Sequence, residues 1–369
     1  MRHIDSLHIG SFRGLRDVKL DQLADVNIFV GRNNSGKTTL LESLAVLANA
    51  RSPLEWSWIA QRREGRFSSF AGSFLDNIKW LFPQTPEMGP GPYNGRLELS
   101  TSGPEFEHRL VSSISEVFGL WPEETADPNS PQASGRFDRQ RRGIRIKHQV
   151  TRSGSDGQEG SAGDARVYWE DEVHQLALFP DTLIPMEFLV PYSHRIEPTQ
   201  QGSFSTATQL GRKDQIVALL ADIDPSIRGI ELLNLMGQRP EIFINHAKAG
   251  MIPLKLLGDV IRRAFIIAST IPQVEGGFLL IDEIESAIHY SALNKLFAWL
   301  TSACRQFKVQ LFVTTHSLEA LDAILYENPE HLDQIAGYRI EETDGRQQVR
   351  RFDGAMMKRL ILDRGLDIR

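Results

Sequence analysis

Disulfides within the chain are excluded by count, because its 369 residues include one cysteine, Cys304. A cysteine-based metal cluster falls with them, and Cys304 reads as a small residue on a helix. No apolar run approaches the roughly 20 residues that span a bilayer. The opening "MRHIDSLHIGSF" has no apolar core of the kind a signal peptide needs. These absences point to a reducing, cytoplasmic compartment. Net charge is −6, so no global basic field advertises nucleic acid, although a local patch stays open. No internal repeat is present, and no heptad runs long enough for an extended coiled coil. What remains is ordinary globular usage, 41% hydrophobic and 24% charged. The length suits one large domain or two smaller ones, with an ample buried core.

The stretch "HIDSLHIGSFRGLRDVKL" reads as two short strands turning at Gly14. "DVNIFV" is a third, ending at Gly31, and "KTTLLESLAVLANA" is a helix with leucines on one face. "SFLDNIKWLF" is helix-like, and "GRLELSTS" and "FEHRLVSS" are strands. "GIRIKHQV" and "ARVYWEDE" alternate like a hairpin. Between them "TRSGSDGQEGSAGD" predicts a flexible exposed loop. "MEFLVPY" is a buried strand. The helix beginning in "GRKDQIVALLADIDP" stops at Asp224, because proline disfavours helix in the residue before it. In the last third, "PLKLLGDVIRRAFIIAST" and "SALNKLFAWLTSACRQF" are helices, alternating with the buried strands "GGFLLIDE" and "VQLFVTTHS". Such alternation argues for parallel pairing.

Residues Gly31 to Thr38 satisfy G-x-x-x-x-G-K-[ST] at every fixed position. Phosphate oxygens need converging backbone N–H groups, and glycine permits the required angles. The helix that follows adds a favourable dipole. Lys37 is placed to reach β- and γ-phosphates, and Thr38 to offer a hydroxyl to Mg²⁺. Asn33, Asn34 and Ser35 fill the turn, and Thr39 follows it. All are expected, with Gly31 and Gly36, to line a nucleotide.

"FLLIDE" carries Asp282 and Glu283 to the end of a buried strand, where ligands bind in open α/β sheets. Asp282 is expected to hold Mg²⁺ through water, and Glu283 to activate the attacking water. A second apolar strand, "LFVTTHS", ends at His316, whose neutral imidazole can bond a γ-phosphate or that water.

Together these motifs resemble the ABC-type ATPase heads of the RecF/SMC/OLD kind. "LHIGSFRGLRDVKL" looks like their first strand and Phe-Arg-Gly turn, "GRNNSGKTTLLESL" like the Walker A loop and helix, "LLIDEIESAIHYSAL" like Walker B and the D-loop region, and "FVTTHSLEAL" like the switch-histidine loop. The resemblance implies an α/β fold with an antiparallel β lobe. It implies two heads sandwiching two ATP molecules with Mg²⁺, and Arg13 near the nucleotide. A single head over 1–369 is expected. Its parts are first strands and Walker A in 1–50, β lobe and helical or irregular insertion over about 51–240, and the remaining motifs over about 241–369. The signature departs from L-S-G-G: in "LLGDVIRR", Leu257 is followed by Gly258, Asp259 and Val260, with Lys255 or the helix N-terminus left to serve the phosphate. The stretch after His316 is too short for the Toprim nuclease of OLD proteins, and the gap between Walker motifs too short for SMC arms. The resemblance thus implies a stand-alone, dimerising ATPase that drives or gates a separate nuclease or toxin, in DNA repair or phage defence. The competing reading is a nucleotide-bound scaffold that hydrolyses little and restrains its partner. A small-molecule kinase fits poorly, since it leaves the late histidine strand unexplained.

"RFDRQRRGIRIK" sets Arg136, Arg139, Arg141, Arg142, Arg145 and Lys147 against Asp138. The cluster reads either as a DNA-phosphate contact or as a solvated edge strand guarded against aggregation.

Overall fold

The computed structural model describes residues 3–61, 74–84, 92–120, 140–154, 159–170, 182–234, 239–343 and 346–369. The chain opens with β1 (Ser6–Phe12), β2 (Leu15–Asp21), β3 (Val26–Val30) and α1 (Lys37–Ala48). Helices α2 (Pro53–Gln61) and α3 (Phe74–Lys79) precede four longer strands, β4 (Asn94–Ser102), β5 (Phe106–Leu120), β6 (Gln140–Gly154) and β7 (Glu159–Trp169). Then come β8 (Met186–Leu189), α4 (Glu197–Gln209), α5 (Lys213–Ile223), β9 (Ile227–Leu233), β10 (Glu241–His246) and β11 (Gly250–Pro253). The last third holds α6 (Asp259–Thr270), β12 (Phe278–Ile281), α7 (Tyr290–Gln306), β13 (Gln310–Thr314), α8 (Leu318–Glu327), β14 (Ile335–Thr343), β15 (Arg346–Asp353) and α9 (Gly354–Lys358).

The central sheet has the order β15-β14-β3-β13-β12-β8. From β14 to β8 its neighbours are parallel, and β15 returns antiparallel beside β14. Its inner strands β3, β12 and β13 are mainly apolar and buried at every position, because both faces are covered. Ile28, Leu279, Ile281, Leu311 and Val313 point into one core with the helices α5 to α8. Phe29, Phe278, Leu280 and Phe312 point into the other, shared with α1 and the antiparallel sheet. That second sheet runs β2-β1-β4-β5-β6-β7, and a third, β11-β10-β9, stands apart.

Several expectations change in the folded chain. Helix α1 is buried nearly all round, from Leu40 to Ala48, because it is sandwiched between sheets rather than laid on one. The stretch expected as a flexible loop is mostly paired strand, with the β6–β7 register running out to Ser153↔Glu159. Gly160, Ser161 and Gly163 there are exposed, as expected, but they pair with β6 in the antiparallel ladder, and residues 155–158 lie outside the described residues. "PLKLLG" is a strand end and a 3-10 turn, and the helix begins only at Asp259. The hairpin of the basic cluster is not an edge at β6, which lies between β5 and β7. Arg142 is half-buried and committed to ion pairs within the chain, its Nη2 2.8 Å from Asp76 and its Nε on Glu116. Arg141 lies 4.5 Å over the Trp169 ring. Arg145 and Lys147 face solvent, whereas Arg136, Asp138 and Arg139 lie outside the described residues.

Candidate functional site

Parallel strands end on the same edge, so register decides what meets there. Thr314 pairs with Phe29, one residue before Val30, and Val313 stands beside Ile281. The glycine loop after β3, the acids after β12 and the histidine link after β13 therefore emerge side by side. Residues far apart in sequence converge for this reason alone.

The loop itself demands its glycines. Gly31 has φ 144° and Gly36 φ 100°. A side chain on Gly31 would run into the Ile340 carbonyl, and one on Gly36 would press on Leu15 at 2.8 Å. The "FRGL" turn thus backs the loop directly. Asn33 and Asn34 are exposed at its tip, and Thr39 is half-buried on the first turn of α1. The Ser35 hydroxyl is buried among the loop atoms without a hydrogen bond, the state of a group awaiting an acceptor. Lys37 is folded inward, and its ammonium donates to the carbonyls of Gly31 and Arg32, both at 2.8 Å. Burial lowers its pKa, opposed by Asp282, Glu283 and Glu285.

Across from the loop, the Thr38 hydroxyl donates to Asp282 at 3.0 and 3.1 Å. A hydroxyl beside a carboxylate is a hard oxygen pair, suited to Mg²⁺ whose other positions go to water and phosphate. Among the described residues no cluster of three His, Cys, Asp or Glu forms a metal cage. Thr314 donates to the same Asp282 carboxylate at 2.6 Å and accepts the Glu283 N–H at 2.8 Å. One hydroxyl therefore orients both acids. Glu283 sits at φ 46°, a left-handed conformation that costs a non-glycine residue about 1–3 kcal/mol and recurs at functional sites. Burial, then the neighbouring Asp282, raises its pKa, while His316 pulls it down. A carboxylate poised upward in this way is a better proton acceptor near neutrality.

Arg13 lies close by rather than in the loop. Its Nε is 2.9 Å from Glu42, on α1 one turn beyond Thr38. Glu42 lines a cavity of about 200 Å³ together with Thr38, Asp282, Phe188, Val190, Pro191 and Tyr192. The last three residues extend the end of β8, which pairs with β12. Sequence reading left the strand end beside Walker B unassigned, and Tyr192 occupies it.

Sequence reading also missed Thr314, Glu285 and Arg263. Glu285 accepts the His316 N–H at 2.7 Å. Arg263, on α6, is fully buried and donates to the carbonyls of Val190 at 2.6 Å and Asp282 at 3.2 Å. Burial lowers its pKa to about 10, against the pull of Asp282, Glu285 and Glu283. A charged residue inside "VIRRAFIIA" was a visible signal, since arginine is seldom buried without a task. The signature stretch is where the sequence places it, at the N-terminus of α6. Gly258 caps the helix, Asp259 opens it, and Lys255 is turned to Glu241 at 2.6 Å.

Residues 26–322 match the family described as "AAA domain, putative AbiEii toxin, Type IV TA system". A RecF DNA replication and repair protein of Heliobacterium modesticaldum is 26% identical over 92% of this chain and 97% of its own. An ATP/GTP phosphatase of Helicobacter pylori is 21% identical over 88% of this chain and 89% of its own. An uncharacterized protein of Methanocaldococcus jannaschii is 44% identical, but over 13% of this chain and 22% of its own length. Among solved structures, an SMC head bound to the C-winged helix domain of ScpA covers 95% of this chain and 98% of its own at 12% identity and TM-score 0.48. With residues 26–322 matched and its glycine loop, paired acids and histidine gathered on one parallel edge, the chain belongs to this AAA-domain family.

Proposed function

We propose that the chain binds ATP with Mg²⁺ and hydrolyses it, and that two copies close around the nucleotide to drive or gate a separate effector. The observation that carries this is the Thr38–Asp282–Thr314–Glu283 chain of hydrogen bonds beneath the glycine loop. Lys37 leaves the carbonyls of Gly31 and Arg32 for phosphate oxygens, and Ser35 gains its missing partner. Thr38 and Asp282 would hold Mg²⁺, which would supply charge neutralisation on the transferring phosphoryl group. Glu283 takes the proton of the attacking water, and His316 bonds the γ-phosphate. Arg13, steered by Glu42, approaches the nucleotide from the β lobe.

The family description names a "putative AbiEii toxin" of a type IV toxin–antitoxin system, which supports a toxin-linked effector, and the RecF relative is a DNA replication and repair protein, which supports a DNA-processing one. The test is ATP hydrolysis against protein concentration, with Glu283→Gln as control. A specific rate that climbs with concentration, silent in the variant, supports the paired head. A rate independent of concentration removes the pair.

One observation favours the scaffold reading: Asp259 puts a carboxylate where α6 would meet a partner's γ-phosphate. A scaffold retains nucleotide through purification and shows almost no multiple turnover.

A further inference from the structure

The segment after α9 plays no part in the reading above, yet its last residue touches the histidine link. We propose that Arg369 and Glu285 are positioning residues that grip the His316 backbone on either side of its Cα and so hold its ring at the nucleotide. The proposal rests on His316 acting in ATP hydrolysis.

The geometry is built from the chain's own turns. A π-helical turn over Arg359–Asp363 is stopped at Gly365, whose φ of 63° reverses the chain. The Gly365 N–H donates to Ile361 at 3.0 Å and the Leu366 N–H to Leu360 at 2.9 Å. Ile368 then sinks into the core shared with α6, α7 and α8, which anchors its neighbours. Asp367 accepts from Arg369 Nε at 3.0 Å and Nη2 at 2.8 Å, a two-point pair that fixes the plane of the guanidinium. The remaining Nη1 donates to the His316 carbonyl.

From the other side, Glu285 takes the His316 N–H. The two peptide groups that flank the His316 Cα are held, one by an anion at its N–H and the next by a cation at its carbonyl. Charge-assisted bonds of this kind are roughly twice as strong as neutral ones. The bond to Asp367, and then the charges of Glu319 and Glu285, favour the charged form of Arg369. His316 lies on a three-residue link between β13 and α8. The far end of that link is fixed by Ser317, which accepts the Ala320 N–H at 3.0 Å. Without the grip, rotation about the His316 backbone would swing the ring while both flanking elements stayed in place.

The experiment compares Arg369→Ala, Arg369→Lys and His316→Ala in steady-state ATP hydrolysis. Arg369→Ala should lower kcat roughly ten- to hundredfold, as a misplaced catalytic group does. KM for ATP should stay within about twofold, and Tm within about 2 °C, because Arg369 lies at the surface. Arg369→Lys should recover part of the loss. Adding Arg369→Ala to His316→Ala should cost nothing more, since both act through one ring. Wild-type turnover in Arg369→Ala beside a slow His316→Ala overturns the grip and leaves the histidine's role standing. Wild-type turnover in His316→Ala removes the histidine, and the proposal with it. A fall in kcat, ATP affinity and Tm together makes Arg369 a merely structural tie and also overturns it. If Arg369→Ala does not fold, Glu285→Ala must show the same split between kcat and KM.

Discussion

Two helix N-termini serve the phosphate chemistry proposed for this chain, and they are prepared in opposite ways. At α1 the cap is Gly36 and the first turn holds no acid. Its N–H groups and the buried Lys37 make a positive end that carries no acid of its own turn and meets Asp282, Glu283 and Glu285 only from across the site. At α6 the cap is Gly258 and the first residue is Asp259. The Asp259 carboxylate accepts from Arg195 at 2.6 Å and from Arg262 at 3.2 Å, and lies 3.5 Å from His194. The bond from Arg195 is the main cause of its lowered pKa. Every helix start favours an anion. The first is left for a ligand, whereas the second is filled from within, so a nucleotide reaching it must compete with a resident carboxylate.

The contrast can be broken most sharply at α1. Lys37→Ala should weaken ATP binding by about 100-fold or more in calorimetric titration, because it deletes the cation at the phosphates. Affinity near the wild-type value would strip the loop of its assigned role. Glu283→Gln should keep ATP affinity while slowing turnover by roughly 10²- to 10⁴-fold. It should also raise Tm: burial and Asp282 disfavour the folded carboxylate's charge at neutral pH, and the amide has none. A variant that hydrolyses normally would take Glu283 out of the base role.

On α6, Arg263→Met should destabilise by about 2–4 kcal/mol in urea unfolding. It leaves the Asp282 carbonyl short of a donor and three acids without their buried cation. By comparison Arg145→Met, on the exposed face of β6, should stay within about 0.5 kcal/mol. Equal effects would mean that burial of Arg263 carries no energetic weight. The smallest expected change is at Asp259. Asp259→Asn frees Arg195 and Arg262, and should raise the concentration-dependent ATPase rate by about two- to fivefold, the scale of one helix-terminus charge. An unchanged rate would show that the resident carboxylate does not gate a partner's nucleotide.

The difference between these two termini was half legible in the residues. A glycine-spaced loop with Lys37 and Thr38 follows local rules, and so does an apolar strand ending in Asp282 and Glu283. Each can be read from a dozen letters because its chemistry is made by adjacent atoms. The irregular letters after Leu257 were legible too, but not their consequence. Arg195 is far from Asp259 in sequence, and nothing in "YSHRIEP" signals a partner on α6. The same holds for the glycine- and serine-rich stretch before Asp164. Composition spoke for a loop, and strand pairing across β6 and β7 overruled it, because a ladder needs backbone groups rather than particular side chains.

Short-range pattern was enough for the class of chemistry here. The phosphate loop, the acids and the histidine lie on strand ends whose apolar runs announce burial on both faces. Which hydroxyl joins the two acids, which arginine braces the strand ends from α6, and which side chains hold His316 came only with the fold. Thr314, Arg263 and Glu285 stand inside motif stretches but at letters to which the motifs assign no task, and Arg369 stands in a segment without one. They meet the site through parallel register, the packing of α6 on the sheet and the turn at Gly365. Local letters can encode a conformation and a charge. Partners distant in sequence are chosen by the shared core that brings their segments together.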